Sequence, residues 1–390
     1  MTRPSSLRIH PSIGGFALAL AGMTGAACSG GGTTSGSDGA SSVGAGGGAS
    51  AAASGATASA GGGPSTASAV SAGGSTASGM SAGAGGSAAG VGGAASSTGG
   101  TAGTAGSGGS GGMPLDPNDR SAEGVCARWN ADRQNLSEGT WSGSIEGCVV
   151  GDISAEGRAN ALRLFNLYRW LADLPPVETS PERDEIAQAC ALLQEANWRS
   201  EGLSHGPPES WDCYSDEGRE GSATSNISGG PGVSSVSAYL LDRGNEDTMG
   251  HRRIILANWL GPIGLGSTAD GASCMQNLNG DGNADKEWMA WPPPGFFPLQ
   301  AYGGGNTTLS DTGWSVQSED IDVREAEITV SSAAGELAVD TEPLEGNYGF
   351  TDGIRIVPNA WDVEAGQTYA VSLSGLGTPI AYEFTLVDCE

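Results

Sequence analysis

Residues 250–266 read Gly-His-Arg-Arg-Ile-Ile-Leu-Ala-Asn-Trp-Leu-Gly-Pro-Ile-Gly-Leu-Gly. The first half continues a helix that opens near Asp247 and carries His251 to Leu256. The second half, Pro262 to Gly266, predicts a strand whose small residues allow close backbone packing. Helix before and strand after is also the order of the flanking chain. Ser154 opens a helix to about Asp173, with Leu162, Phe165, Tyr168 and Trp170–Leu171 at helical spacing, and Leu174-Pro175-Pro176-Val177 stops it. Ser180-Pro181-Glu182 supplies a capping oxygen, a first-turn proline and an early acid. The helix it starts buries Ile186, Ala189, Cys190 and Leu193 and fades near Trp198. A Gly/Ser-rich loop is expected over 215–232, then an amphipathic helix from Val233 to Asp242.

Strands dominate further on. Glu287–Trp291 is a strand ended by three prolines. From about Ala301 come short alternating runs at Trp314–Val316, Glu327–Val330, Gly353–Val357, Thr368–Leu373 and Ala381–Val387. Helices first and strands second predict an α+β class. Residues 301–390 are assigned to a small antiparallel β-sandwich domain, and residues 113–300 to the preceding domain. Residues 113–152 read as an irregular, disulfide-stapled leader.

The N-terminal 112 residues belong to neither. Residues 1–28 read as an export signal: Arg3 and Arg8 precede an apolar run, Ile13 to Ala27, shorter than the ~20 residues that span a bilayer. The run ends in Gly25-Ala26-Ala27-Cys28, which resembles a bacterial lipobox and implies lipidation of Cys28 and a membrane anchor; the alternative is ordinary cleavage near Ala27. Residues 29–112 are almost wholly Gly, Ala, Ser and Thr, with Asp38 the one charge and no aromatic residue. Such a segment buries too little apolar surface to offset chain entropy and is expected to be a disordered linker. As a Gly-rich coil it reaches roughly 50 Å.

The chain has a formal net charge of −27. That excess repels phosphate backbones and argues against nucleic acid as a partner, while drawing in cations. With Cys28 set aside, six cysteines remain: Cys126, Cys148, Cys190, Cys213, Cys274 and Cys389. An even number in an exported chain reads as three disulfides with 15 connectivities open. Sequence proximity favours 126–148, 190–213 and 274–389.

Only His205 and His251 lie outside the signal. Their settings, in order with three other pieces, carry a family resemblance. Asn166-Leu167-Tyr168-Arg169 with Leu174-Pro175-Pro176-Val177, then Leu203-Ser204-His205, Ser225-Asn226-Ile227, Gly250-His251-Arg252 and Ile263-Gly264-Leu265-Gly266 resemble the motifs of the CAP superfamily. That family comprises cysteine-rich secretory, antigen 5 and pathogenesis-related 1 proteins. The likeness spans about 155–292. It implies an α-β-α sandwich whose cleft presents two His and two acids, the His pair able to hold a divalent cation such as zinc. His205 and His251 match the two histidines. Ser225 stands at the first acid position, and Asp242, in Tyr239-Leu240-Leu241-Asp242, at the second. Glu217, Glu220 and Glu246 lie nearby and could substitute.

A separate signal is Asn277-x-Asn279-x-Asp281-Gly282-Asn283-x-Asp285, similar to the start of an EF-hand calcium loop. The twelfth position, where an acid should close the loop, is Trp288. The missing ligand favours an Asx-rich turn.

Three functions remain open. The first is a surface-displayed, monomeric binding module whose His-lined cleft takes a metal, lipid, peptide or cell-wall ligand. The second is a metal-dependent hydrolase using the same cleft. The third is a structural or adhesive envelope protein. The absent acid at Ser225 counts against the hydrolase. No cofactor beyond a divalent cation is implied.

Overall fold

The computed structural model describes residues 115–390 apart from 305, 347 and 349–351. The export signal, the lipidation of Cys28 and the linker lie outside the described residues. The described chain falls within one compact unit and mixes helix and sheet.

Six helices of a turn or more come first: α1 Ala122–Asp132, α2 Ala155–Leu171, α3 Pro181–Glu201, α4 Asp216–Thr224, α5 Gly232–Leu241 and α6 Gly250–Ile255. Ser121, Ser154, Ser180 and Ser215 cap the first four, each accepting from a backbone N–H of the first turn. Three short strands lie among and after them: β1 Ser225–Ser228, β2 Gly264–Ser267 and β3 Ser273–Gln276, in the antiparallel order β1-β3-β2. Gly264 and Gly266 let β2 lie directly on α3. A Cβ at Gly266 would sit 2.3 Å from Ala187 backbone atoms.

Two larger sheets follow. They use β4 Trp288–Trp291, β5 Gly295–Pro298, β8 Trp314–Ser318, β9 Glu327–Ser332, β10 Gly335–Leu337, β11 Val339–Pro343, β12 Asp352–Pro358, β13 Thr368–Ser374 and β14 Ile380–Val387. Between β5 and β8 lie the short helices α7 Leu299–Tyr302 and α8 Leu309–Thr312 and the two-residue strands β6 Gly303–Gly304 and β7 Thr307–Thr308. One sheet has the order β10-β9-β13-β14-β5 and the other β11-β12-β8-β4. Pairing is antiparallel throughout except β14 with β5. Trp314 on β8 meets Phe384 on β14 edge-on at 4.9 Å, so side chains of the two sheets interlock. The sheets expected from 301 onward already begin with β4 and β5. One buried cluster runs from Val125 on α1 through the helices to Phe384 and Cys389. Tyr168 on α2 touches Trp291 on β4, which touches Phe297 on β5.

Two expectations need correction locally. The leader contains α1, whose buried face is only Val125 and Trp129, a single i, i+4 pair too brief to stand out in the sequence. The supposed loop at 215–232 contains α4 and β1. Its glycines mark close helix packing rather than a turn: a Cβ at Gly221 would lie 2.5 Å from the Ile186 carbonyl oxygen and 2.7 Å from Cys190 Cβ.

Among the described residues three disulfides are present, Cys126–Cys389, Cys148–Cys213 and Cys190–Cys274. None is a neighbour pairing. Layer packing decides them: α3 carries Cys190 onto the β3 strand that holds Cys274. Helix α1 is tied to the segment after β14, where Asn130 Nδ2 also donates to the Cys389 carbonyl at 2.9 Å. Bridges of this kind belong to an oxidising, extracellular environment. Among the described residues no helix is long and apolar enough to cross a membrane.

Gly221→Ala should lower unfolding stability by about 1–3 kcal/mol in urea melts, because the added methyl meets backbone. Gly206→Ala, where nothing lies within 4 Å of the added atom, should stay within about 0.5 kcal/mol.

Candidate functional site

Histidines 205 and 251 line one cleft of about 210 Å³, walled also by Ser225, Asn226, Asn245, Thr248 and Tyr348. Each is placed by buried polar groups. Gln194, wholly buried on α3, donates from Nε2 to the Ser204 carbonyl (2.7 Å) and to Ser222 Oγ (2.9 Å), and its Oε1 accepts from Ser204 N–H. That clamp holds the segment carrying His205 against α4. His205 Nδ1 then donates to the Ser222 carbonyl at 2.8 Å.

On the facing side, α5 ends at Asp242 in the left-handed conformation, and the chain re-enters a helix through Met249 at φ 45°. Asp242 is turned inward with its side chain fully buried. Its Oδ1 accepts from His251 Nδ1 (2.7 Å) and Asn245 Nδ2 (3.1 Å), and its Oδ2 from the Arg252 backbone N–H (3.1 Å). Tyr239 packs on the His251 ring with centroids 4.8 Å apart. Asn226 on β1 donates to the His251 carbonyl at 3.2 Å.

The two imidazoles therefore share a tautomeric arrangement. A carbonyl and a carboxylate can only accept, so Nδ1 carries the proton in both rings and Nε2 keeps its lone pair when the ring is neutral. This is the pattern in which an outer acceptor orients a ligating histidine. Crowding by protein pushes the His205 pKa below the ordinary imidazole value; the Ser222 carbonyl opposes that shift and His251 reinforces it.

The other sequence candidates are placed as follows. Asp242 does not line the cleft but stands behind His251, so its expected role as a cleft acid is corrected to an orienting one. Ser225 lines the cleft, yet it is 2% exposed and its Oγ is shielded without a hydrogen-bond partner. Glu217 and Glu220 are exposed on α4, and Glu246 accepts from Gly244 N–H at 2.9 Å; none of the three lines the cleft. In the calcium-like segment, Asn277 is buried and its Oδ1 accepts from Asn226 N–H, while Asn279, Asp281 and Asp285 are exposed. The backbone there pairs with 258–261, Asp281 N–H donating to the Gly261 carbonyl and Gly282 N–H to that of Trp259. Among the described residues no group of three or more His, Cys, Asp or Glu side chains is arranged to hold an ion.

Sequence reasoning missed Gln194, Ser222, Asn245 and Tyr348. Ser222 and Asn245 lie near recognised motifs and Gln194 lies within a recognised helix, but a polar residue in a helix or loop gives no sign of its partner. Tyr348 sits in a region read only for strand alternation.

No family model, curated protein or solved structure matches this chain.

The lowered His205 pKa has a defined consequence for stability. The unfolded chain binds the proton more readily than the folded one, so the contribution is complete above the unfolded value of about 6.5 and is lost as pH falls toward the folded value. Proton NMR titration should place the His205 midpoint below ~6.5; a midpoint at or above that value would contradict the crowded environment.

Proposed function

We propose that this chain is a lipid-anchored, monomeric extracellular binding module of CAP type, in which His205 and His251 together hold a divalent cation such as zinc. The carrying observation is the pair of imidazoles on one cleft, each with Nδ1 already donating to a fixed acceptor. Zinc takes neutral imidazole nitrogen, and the arrangement leaves Nε2 of both rings to supply it. Because among the described residues no third acidic or sulfur ligand accompanies them, an ion held there completes its shell with water or with atoms of an incoming ligand. That open shell supports binding of an exogenous lipid, peptide or cell-wall group. The motif order from Asn166 to Gly266 supports the family assignment, and Gly25-Ala26-Ala27-Cys28 followed by the 29–112 linker supports display from a membrane.

The metal-dependent hydrolase is the weaker alternative. The buried Ser225 Oγ is out of reach of a substrate, and the acid nearest His251 is spent on orienting it. An idle cleft would instead favour a structural or adhesive role, carried by the linker and the sheets.

Calorimetric zinc titration of the exported protein tests this. Parent protein should bind near pH ~7.5 and bind less tightly near ~5.5, since protons compete for imidazole. The His205→Ala, His251→Ala double variant should lose that site; equal affinity in variant and parent would place the metal on surface carboxylates and end the proposal. Asp242→Asn should weaken binding about 10–100-fold while both imidazoles remain.

A further inference from the structure

The wall of the cleft in front of His251 comes from the other end of the chain. Tyr348 lies between β11 and β12, yet it lines the cleft with both histidines. Its ring rests on the backbone at the start of α6: a Cβ built on Gly250 would meet Tyr348 Cδ1 at 2.8 Å. Only glycine at 250 allows that approach, and residue 250 is the neighbour of His251.

The segment leading to Tyr348 is anchored. Glu345 N–H donates to the Asp247 carbonyl at 3.1 Å, and the buried Arg253 donates from Nη1 to the carbonyls of Glu345 (2.6 Å) and Thr248 (3.1 Å). Leu344, just before it, is 2% exposed, and its N–H donates to the Gly353 carbonyl across the hairpin. One guanidinium thus fixes both the turn before His251 and the strand connection carrying Tyr348.

The cleft also differs from the rest of the molecule in charge. In a chain with 44 acidic residues, none of the described residues that line this wall is Asp, Glu, Lys or Arg. Its volume of about 210 Å³ falls below the roughly 300–1,000 Å³ of sites for drug-sized ligands.

We propose that Tyr348 is a specificity-determining residue of the histidine cleft: its ring, seated on Gly250, screens His251 and restricts the space beside the two histidines to one small ligand group. His205 is crowded on the side that faces Ser222 but keeps exposed surface at the rim and stays reachable. The proposal deepens the binding reading above, but the screening of His251 is measurable without any metal.

The test is site-mapped carbethoxylation of the intact protein by diethyl pyrocarbonate at neutral pH, with His205 as internal reference. In the parent, His251 should react more slowly than His205. Tyr348→Ala should raise the His251 rate several-fold relative to His205, and Tyr348→Phe should leave the ratio at the parent value, since the ring is the screen. Gly250→Ala, which displaces the ring without removing it, should raise the ratio as well and carries the test if Tyr348→Ala does not fold. An unchanged ratio in the folded variants, or a Tyr348→Phe ratio matching that of Tyr348→Ala, would overturn the proposal. Loss of zinc binding by the parent would end the metal reading and leave this one standing.

Discussion

Three guanidinium groups with no exposed surface hold this structure together: Arg169, Arg252 and Arg253. Burial of a charge is costly unless its donors are satisfied, and here backbone carbonyls supply most of the acceptors. Arg252 donates to the carbonyls of Leu240 and Leu241 at the end of α5 and to that of Gly313 before β8. Arg169 on α2 donates to the carbonyls of Pro175, Ile255 and Ala257. Arg253 adds the Thr248 and Glu345 carbonyls. Burial lowers each pKa to about 10, which still leaves all three charged at neutral pH. Helix α6 is only six residues long and cannot be stable alone. It is held at both ends by these cations, and His251 is positioned because Arg252 and Arg253 are.

That dependence explains how much was legible beforehand. Helices α2, α3 and α5 and the longer strands declare themselves by long runs of period 3.6 or 2 and by capping residues. Gly250-His251-Arg252 marks the site because unusual residues are concentrated there. Elements stabilised by contact rather than pattern stay hidden. Helix α4 reads as loop because Gly218 and Gly221, needed for its approach to α3, look like turn residues. Strand β3 is the centre of its sheet but only four residues long, too brief for alternation to register.

The site divides the same way. Both histidines are evident from their motifs, but their roles come from partners that spacing cannot reveal. By motif position Asp242 reads as a cleft acid. The left-handed turn at its own backbone swings the carboxylate inward, where it meets His251 and the Arg252 N–H instead. Disulfide pairing fails from sequence for a related reason: proximity along the chain says nothing about which layers stack.

The Cys126–Cys389 bridge links the first helix to the second-last residue of the chain. Mechanically, it makes one loop of nearly everything between them. Helix α1 therefore cannot leave the fold without breaking that covalent link or drawing with it the end of β14, which is flanked by β13 and β5. Helices α2 to α6 and the histidine cleft lie within that loop. A chain forced open at α1 would still be closed covalently around the histidine cleft.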